Sequence, residues 1–377
     1  MKLISKIIAT SIAIALFSCS SDTTESDTTL SAPGIGTLKN INSFDFVAQM
    51  GVGWNLGNSL DVINDANLFN TTKTEWGNPL PTQGMIDKVA ATGFKTLRLP
   101  VSWRTNQRPT APYQIEADYL QRVKNVVDWA MGNDIHVILN THHDNEWLRP
   151  IESEKAKANE RLTSTWTQIA TYFEAYNEQL IFEVMNEPRI KNIPEEWNGG
   201  TESGRRIVNE YTKTAVDAIR ATGGNNSARQ LMITPWAGSS INKAMDDLVV
   251  PNDDPNIIIT VHTYFPFQYA LDGVGLWGSD AQKTALMNEF ENLKQKWIVR
   301  EKRPVILGEW STRTDLTPLA NRMEYAKFYV EEATKRGLLT LLWDDGGNHG
   351  FLDRNGLRWK SDQEMELIVE SSKVEAQ

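Results

Sequence analysis

Short apolar runs alternate with longer amphipathic stretches along this chain from about residue 40 onward. The apolar runs have the length of buried strands, and the stretches between them repeat their apolar residues with the period of a helix. The pattern predicts eight strands, at Gly51–Asn55, Phe94–Pro100, His136–Asn140, Leu180–Met185, Leu231–Thr234, Ile257–His262, Val305–Gly308 and Leu338–Trp343. The helical patterns between them are Tyr119–Gly132, Arg161–Tyr176, Arg205–Thr222, Ala281–Val299 and Leu319–Arg336.

Strands that are apolar throughout and alternate with helices indicate a parallel sheet covered by helices on its outer face. Eight strands are the number that closes a βα barrel. We find no internal repeat and no glycine- or proline-rich linker after residue 40, so one domain accounts for the folded part. The predicted fold class is therefore α/β, a single (β/α)8 TIM barrel.

Polar and aromatic residues occupy the same end of every predicted strand. In a barrel of this kind the active site lies at the C-terminal ends of the strands, which is where these residues are. An open, doubly wound sheet does not predict this pattern, and the sequence has no glycine-rich phosphate loop to support one. The residues are Trp54 to Asn58, Arg98 and Trp103, His142 to Asp144, Asn186 and Glu187, Trp236, His262 and Tyr264, Glu309, and Trp343 and Asp344.

Composition narrows the class of ligand. The chain has 377 residues and a formal net charge of −10, which argues against a nucleic-acid partner. It also has 13 tryptophans, more than a core needs, so some of them are expected on an open surface that faces a ligand. Several tryptophan-bearing loops suggest a long open cleft, which suits attack on internal bonds of a polymer.

The N-terminus has the layout of an export signal, with Lys2 and Lys6 before an apolar stretch too short to span a membrane. Cys19 is the only cysteine of the chain, and residues 16–19 resemble the lipobox of bacterial lipoproteins. We predict a lipoprotein signal peptide at residues 1–18, a flexible tether at 19–38 and a catalytic domain at 39–377. The protein is expected to be exported and lipid-anchored at Cys19 to the outer membrane, with display at the cell surface left open. A plain signal peptide with an incidental cysteine is the alternative.

Two predicted strands lead into glutamates, Glu187 in Asn186-Glu187-Pro188 and Glu309 in Gly308-Glu309-Trp310. A charge withdrawn from water must be paired or chemically useful, so two acids at buried strand ends suggest a site. One protonated carboxyl group and one ionised carboxylate are the minimal equipment for cleaving a glycosidic bond. Glu187 and Glu309 are therefore the candidate catalytic pair.

Several motifs together resemble the signature set of glycoside hydrolase family 5, and two of them resemble its subfamily 4. The resemblance covers roughly residues 45–350 and preserves the order of the motifs. It implies a (β/α)8 enzyme that hydrolyses β-1,4-glucans with retention, as endo-β-1,4-glucanases and xyloglucanases do. The motifs are those around Glu187 and Glu309, Arg98 to Trp103, His142-His143-Asp144 and His262-Thr263-Tyr264, with Gly53 to Asn58 and Trp76-Gly77-Asn78-Pro79 for the subfamily.

The resemblance assigns Glu187 as the acid/base and Glu309 as the nucleophile. We expect a raised pKa for Glu187, because it lies at a partly buried strand end beside a second carboxylate. Arg98 and Tyr264 are expected to keep Glu309 ionised. In a retaining enzyme the two carboxyl groups should lie about 5–5.5 Å apart.

The resemblance also implies supporting residues. Asn186 is expected to hydrogen-bond the sugar 2-hydroxyl, and His142 and His262 to line the subsite of cleavage. Trp343 matches the position where family members stack an aromatic ring under the sugar. The full set of candidate substrate-binding residues is Asn58, Trp76, His143, Trp147, Trp236, Trp277, Trp343 and Asn348.

Histidines near carboxylates also allow a metal-dependent hydrolase. No strand has the H-x-H spacing that would point two imidazoles the same way, and the adjacent His142 and His143 should project to opposite sides of an extended backbone. Which of these two faces the site stays open. The prediction is no metal and no cofactor.

The function predicted from the sequence is a retaining endo-β-1,4-glucanase, expected to act as a monomer on a β-glucan polysaccharide. Xyloglucan, mixed-linkage glucan and amorphous cellulose all remain open as substrates. The alternatives are an endo-β-mannanase and a non-catalytic surface lipoprotein that captures glycans. A capture protein would typically have lost one carboxylate, whereas this chain has both in their motifs.

Overall fold

Eight parallel strands close into a barrel whose order around the circumference follows the chain. The structure is a computed structural model that describes residues 33–63 and 73–375. The strands are β1 Gly53–Leu56, β2 Thr96–Leu99, β3 His136–Asn140, β4 Leu180–Glu183, β5 Leu231–Ile233, β6 Ile257–His262, β7 Val305–Trp310 and β8 Leu338–Asp344. Pairing of β8 with β1, for example Asn55 opposite Trp343, completes the ring. The predicted (β/α)8 TIM barrel is confirmed.

Ten helices accompany the barrel within the described residues. They are α1 Ser43–Met50, α2 Gln83–Thr92, α3 Ala117–Gly132, α4 Lys155–Tyr172, α5 Glu202–Ala221, α6 Asn242–Asp246, α7 Phe267–Ala270, α8 Asp280–Leu293, α9 Leu319–Lys335 and α10 Asp362–Ser371. The five predicted helices correspond to α3, α4, α5, α8 and α9, with α8 continued by a π-helical turn at Lys294–Arg300. The other five, which have ten residues or fewer, were not predicted.

The barrel interior is apolar at the bottom, where the strands begin. One inward residue from each of six strands forms this layer, and α1 closes the opening with Phe46, Val47 and Met50. Asn42 caps α1 by accepting bonds from the backbone N–H groups of Phe44 and Asp45, which fixes where the helix begins. The strand residues of the layer are Ile138, Ile181, Met232, Ile258, Ile306 and Leu341.

Polar side chains replace the apolar ones higher in the interior. Inward positions alternate along a strand, so Asn140 lies two residues above Ile138 and Glu183 two residues above Ile181. All four of these residues are buried. The change from an apolar to a polar layer marks the end of the barrel that carries the site.

The outer helices pack on the strands through a second, larger apolar cluster. Side-chain caps set the start of two of these helices. Ser279 and Gln282 form a reciprocal capping box at α8, and the Thr201 hydroxyl accepts from the Gly204 N–H at α5. Because the capping box fixes the residue at which α8 begins, it also fixes where the later side chains of this helix lie.

A C-terminal segment closes over α2 and α9. A short hairpin, β9 Leu352–Asp353 and β10 Arg358–Trp359, leads into α10. Arg322 of α9 donates from Nε and Nη2 to the two carboxylate oxygens of Glu364 of α10, at 3.0 and 2.7 Å. A bidentate pair of hydrogen bonds between a guanidinium and a carboxylate holds α10 in one orientation.

The packed chain begins earlier than the sequence predicted. Ile35 pairs with Tyr176, and the Leu38 N–H donates to Asn225 Oδ1, so residues 35–38 belong to the barrel and not to the predicted tether at 19–38. The predicted signal peptide and Cys19 lie outside the described residues. Among residues 33–63 and 73–375, no helix is both long and apolar enough to cross a membrane.

Arg229 offers a test of how the bottom of the barrel is held. It is fully buried, and its guanidinium donates to the carbonyls of Tyr176, Asn177 and Leu180 at 2.7–2.8 Å. Arg229→Met leaves these carbonyls without their donor, so we expect the free energy of unfolding to fall by about 3 kcal/mol. Urea denaturation followed by fluorescence measures it. The control Arg206→Met, at an exposed ion pair, should cost less than about 1 kcal/mol, and equal losses in the two variants would contradict the assignment.

Candidate active site

Arg98 is the central group of the polar layer at the top of the barrel. It is completely buried on β2 and donates from Nε to Glu183 Oε2 and from Nη1 to Glu309 Oε1, both at 2.7 Å. Nη1 also reaches Asn55 Oδ1 at 2.9 Å, and Nη2 donates to Asn186 Oδ1 at 2.7 Å. Burial alone would lower the pKa of Arg98, but the two carboxylates raise it above its usual range, so the side chain stays charged. Arg98 therefore both pairs a buried acid and orients groups of the site.

Glu309 lies near the end of β7, where the pairing with β6 and β8 shifts register. Its Oε1 accepts from Arg98, and its Oε2 accepts from the Tyr264 hydroxyl at 2.9 Å. Burial and the charge of Glu309 raise the pKa of Tyr264 well above 10, so the phenol remains a donor. Both expected partners of Glu309 are therefore in contact with it.

Glu187 follows β4 and faces two basic side chains. Its Oε1 lies 2.8 Å from His262 Nδ1, and its Oε2 accepts from Arg189 Nη1 at 3.0 Å. Burial acts to raise the pKa of Glu187, but the His262 hydrogen bond and the Arg189 charge outweigh it and lower the pKa to about 2. The predicted rise is thus wrong for the free site, because the sequence argument did not include Arg189 or the contact with His262.

His262 carries the complementary shift. Burial acts to lower its pKa, but Glu309 and Glu187 raise it above the usual 6.5. Glu187 and His262 therefore form a pair in which the imidazole is the more basic member.

The two candidate catalytic carboxylates are neighbours. One carboxylate oxygen of Glu187 lies within 4.8 Å of one carboxylate oxygen of Glu309. A ring nitrogen of His262 lies within the same distance of both oxygens. His262 Nδ1 lies 3.6 Å from Glu309 Oε2. His262 Nδ1 therefore lies within 4 Å of both carboxyl groups.

His142 and His143 lie on the same side of the backbone. Their ring centres are 4.4 Å apart, and each has Nε2 within 4 Å of Asp61 Oδ2. The prediction of opposite sides is wrong because residues 141–143 have left β3 and no longer alternate as a strand does. Burial lowers the pKa of both histidines, to about 3 for His143, so both rings are neutral at neutral pH.

A cavity of about 620 Å³ opens above the carboxylates. Both His142 and His143 line it, and the His142 ring stacks on Trp343 with a 4° angle between the ring planes. The predicted site residues in its wall are His142, His143, Asn186, Glu187, His262, Tyr264, Glu309 and Trp343. One cavity thus collects the two glutamates and most of their predicted supporting residues.

Three predicted substrate-binding tryptophans are used for packing. Trp236 is 1% exposed and donates to the Glu196 carbonyl, and Trp277 is 4% exposed among tyrosines of the top of the barrel. Trp147 donates to Asp144 and is covered by Arg161 at 4.5 Å. The assignment of Trp236 and Trp277 to a ligand surface is wrong, and Trp147 does not line the cavity. A position in a loop after a strand did not distinguish these rings from exposed ones.

Trp76, Asn58 and Asn348 lie outside the wall of this cavity. Trp76 is 41% exposed, with its ring 5.6 Å from that of His143, so it extends the site beyond the cavity. Asn58 adopts a left-handed conformation and its carbonyl accepts from Asn78, while the Asn348 side chain is exposed.

Trp197 was not among the predicted substrate-binding residues. It is 54% exposed, lines the cavity and has the Arg189 guanidinium 4.3 Å from its centre. Its position in a loop rich in charged residues gave no apolar pattern to identify it.

The histidine and carboxylate groups do not form a favourable metal site at the catalytic pair. Both oxygens of Glu309 already accept hydrogen bonds, one of them from the cationic Arg98, and His262 Nδ1 is directed at Glu187. A divalent cation at this position would face the guanidinium charge at short range. The absence of a metal requirement stays a prediction.

Comparisons with known proteins agree with this geometry. Residues 61–349 match the family model described as Cellulase (glycosyl hydrolase family 5). Endoglucanase B of Clostridium cellulovorans is 38% identical over 344 residues, which cover 88% of this chain and 76% of the relative.

Solved structures are similar over the same region. The structure of ZgEngAGH5_4 in complex with a cellotriose has 43% identity and a TM-score of 0.85, covering 89% of this chain and all of the other. XEG5A, a GH5 xyloglucan-specific endo-β-1,4-glucanase from a metagenomic library, has 34% identity and a TM-score of 0.82, with 87% and 98% covered. This chain belongs to the cellulase family, glycosyl hydrolase family 5, and within it to subfamily 4.

Proposed function

We propose that this glycoside hydrolase cleaves internal β-1,4-glucosidic bonds by double displacement, with retention at the anomeric carbon. The protein is of the endo-β-1,4-glucanase type. The observation that supports this mechanism is that one oxygen of Glu187 and one oxygen of Glu309 lie within 4.8 Å of each other. Retaining enzymes have carboxyl groups about 5–5.5 Å apart, whereas inverting enzymes need about 6.5–9.5 Å to place a water molecule between acid and base.

In the first step Glu309 is the nucleophile. A carboxylate oxygen attacks the anomeric carbon and forms an ester bond as the bond from that carbon to the leaving oxygen breaks. The leaving oxygen takes a proton from Glu187 and becomes a hydroxyl group of the released chain. Arg98 and Tyr264, which donate to the two Glu309 oxygens, hold the nucleophile in one orientation.

The second step hydrolyses the ester. Glu187, now a carboxylate, takes a proton from a water molecule, whose oxygen attacks the anomeric carbon and releases Glu309. Its lowered pKa keeps Glu187 ionised, so it is able to accept that proton.

The proton for the first step is shared by Glu187 and His262. Because His262 is the more basic member, the proton rests on the imidazole in the free site and reaches Glu187 across the 2.8 Å contact. Glu187 then passes it to the leaving oxygen as that oxygen becomes more basic in the transition state.

The proposed substrates are plant cell-wall β-glucans, namely xyloglucan, mixed-linkage glucan and amorphous cellulose. Trp343 in the cavity wall and the exposed Trp76 offer flat rings against which the C–H face of a glucose unit can stack. Among the similar structures, one is a complex with cellotriose and another is a xyloglucan-specific enzyme, which favours a glucan backbone over mannan.

The proposed location is the bacterial outer membrane, with the protein exported and held by a lipid at Cys19. The support is the signal-like N-terminus and the lipobox-like residues before Cys19. The protein is proposed to act as a monomer.

Removal of the nucleophile tests the activity and the substrate together. The full-length protein should release reducing sugar from at least one of xyloglucan, mixed-linkage glucan and carboxymethylcellulose, and less from mannan. Glu309→Ala should reduce kcat by at least about 10⁴-fold, because no other group can form the ester. Glu370→Ala, at an exposed carboxyl group, should leave the rate unchanged.

Release from mannan alone would reassign the substrate, and binding of a glucan without release from any polymer would favour the glycan-capturing alternative. Release of the inverted anomer, followed by NMR, would contradict the proposed double displacement.

The pH dependence tests the shared proton. Because the His262 pKa is raised, the pair holds its proton below that pKa and loses it as pH rises through it. The alkaline limb of kcat/KM should therefore have its midpoint above 6.5. In His262→Gln only Glu187 can hold the proton, and a carboxyl group releases it at lower pH than the imidazole does. The midpoint of the alkaline limb of kcat/KM should therefore move to lower pH by more than about one unit. An unmoved limb in a variant with unchanged melting temperature would exclude the pair.

Lipidation is tested with Cys19→Ala. In a bacterial host that processes lipoproteins, the unaltered protein should incorporate labelled palmitate and sediment with membranes, and Cys19→Ala should do neither. Export of the unaltered protein without label would establish the plain signal peptide instead.

A further inference from the structure

Glu289 is a third carboxyl group in the wall of the cavity, and neither the catalytic pair nor its partners involve it. It lies on α8, and its Oε1 accepts from the Thr263 hydroxyl at 2.5 Å and from the Ser240 hydroxyl at 2.7 Å. Burial raises its pKa, and the two hydroxyl bonds act in the opposite direction. Within the part of the chain that the structure describes, no lysine, arginine or histidine forms an ion pair with it.

A carboxyl group in this setting is unusual for a purely structural residue. Withdrawal of a carboxylate from water without a cation is costly, and a glutamine would bind the two hydroxyl groups without that cost. Both hydroxyl donors use Oε1, which leaves Oε2 as the oxygen for another partner.

The order of the strands locates Glu289 relative to the bond that is cut. Glu187 follows β4 and Glu309 lies on β7, so the catalytic pair divides the barrel rim into two arcs. One arc holds β8, β1, β2 and β3, with Trp343 near the end of β8 and His142 after β3. The other holds β5 and β6, whose following segments carry Ser240, Thr263 and, further on, Glu289.

A polymer that is cut between the two carboxylates has sugars on both sides of them. Trp343 lies on β8, the neighbour of the Glu309 strand β7. A sugar stacked on its ring is next to Glu309, so we assign the sugar that becomes bonded to Glu309 to the longer arc. The leaving-group sugar then lies against the β5–β6 arc.

The segment after β5 connects the acid/base to Glu289. A Cβ atom on Gly238 would lie 3.5 Å from Glu187 Cγ, so the backbone of this segment passes directly beside the acid/base. Two residues later, Ser240 donates to Glu289. Glu289 is thus the next carboxyl group along the wall on the side to which the leaving group departs.

We propose that Glu289 binds a hydroxyl group of the sugar on the leaving-group side of the cleaved bond. The inference rests on the proposed glucanase function and adds a residue that determines affinity on that side. A neutral β-glucan offers hydroxyl donors to Oε2, and the hydroxyl groups of Thr263 and Ser240 hold the carboxyl group in position for them.

Two substrates with different leaving groups test this. Mixed-linkage glucan places a sugar there, whereas 4-nitrophenyl β-cellobioside places a nitrophenol that lacks sugar hydroxyl groups. Glu289→Gln keeps an acceptor for Thr263 and Ser240 but removes the charge offered to the sugar. We expect kcat/KM for the glucan to fall about 10–100-fold and that for the nitrophenyl substrate to change less than about twofold.

Glu291→Gln is the matched control, since this partly exposed glutamate lies on the same helix and pairs with Arg336. It should alter neither rate. Equal losses on both substrates in Glu289→Gln would mean that Glu289 only positions the catalytic groups or the fold, and would overturn the inference, as would no loss on either. Absence of activity on both substrates in the unaltered protein would instead refute the proposed function, and the inference with it.

Discussion

The site depends on one buried cation, the guanidinium of Arg98. It bonds at once to Glu183 in the barrel wall, to the proposed nucleophile Glu309 and to Asn186, which precedes the proposed acid/base Glu187. A lysine could not replace it, because a single ammonium group cannot direct donors to three separated acceptors in one plane. The same side chain therefore neutralises a carboxylate that could not otherwise be buried and sets the distance between strands that carry the chemistry.

The barrel is built around this group in layers. Below it the interior is apolar and closed by α1, so an apolar layer lies between the ion pairs and the bottom of the barrel. Above it the strands end, and β7 shifts register against both neighbours near Glu309. In a regular strand, successive side chains alternate between the barrel interior and the surrounding helices. The register shift places His262 opposite Glu309 and brings Tyr264 within reach of the Glu309 carboxylate. The irregularity thus belongs to the catalytic arrangement.

The sequence predicted well what depends on local pattern. The number of strands, the long helices and the polar strand ends follow from periodicity, and Glu187 and Glu309 follow from acids placed after apolar runs. The burial of Trp236 and the role of Arg189 could not be predicted, because they depend on which distant segments meet. Trp236 is covered by Gly200 and Gly204, whose lack of a side chain makes room for its ring. The prediction that His142 and His143 project to opposite sides was wrong because β3 ends before them, and side chains alternate only within a strand.

The low pKa of Glu187 in the free site has a consequence for the order of events. The charge of Glu309, within 4.8 Å, opposes ionisation of Glu187 as long as Glu309 is a carboxylate. In the proposed double displacement Glu309 becomes an ester and that charge disappears, while Arg189, which donates to Glu187 at 3.0 Å, keeps its charge. Loss of that charge then favours the ionised form of Glu187, at the stage at which the proposed mechanism needs it as a base. In the proposed mechanism a raised pKa of Glu187 would favour the first step alone, whereas a lowered pKa with a histidine that stores the proton would serve both steps. His262 has the position for this proposed role, because its Nδ1 lies 2.8 Å from Glu187 and 3.6 Å from Glu309.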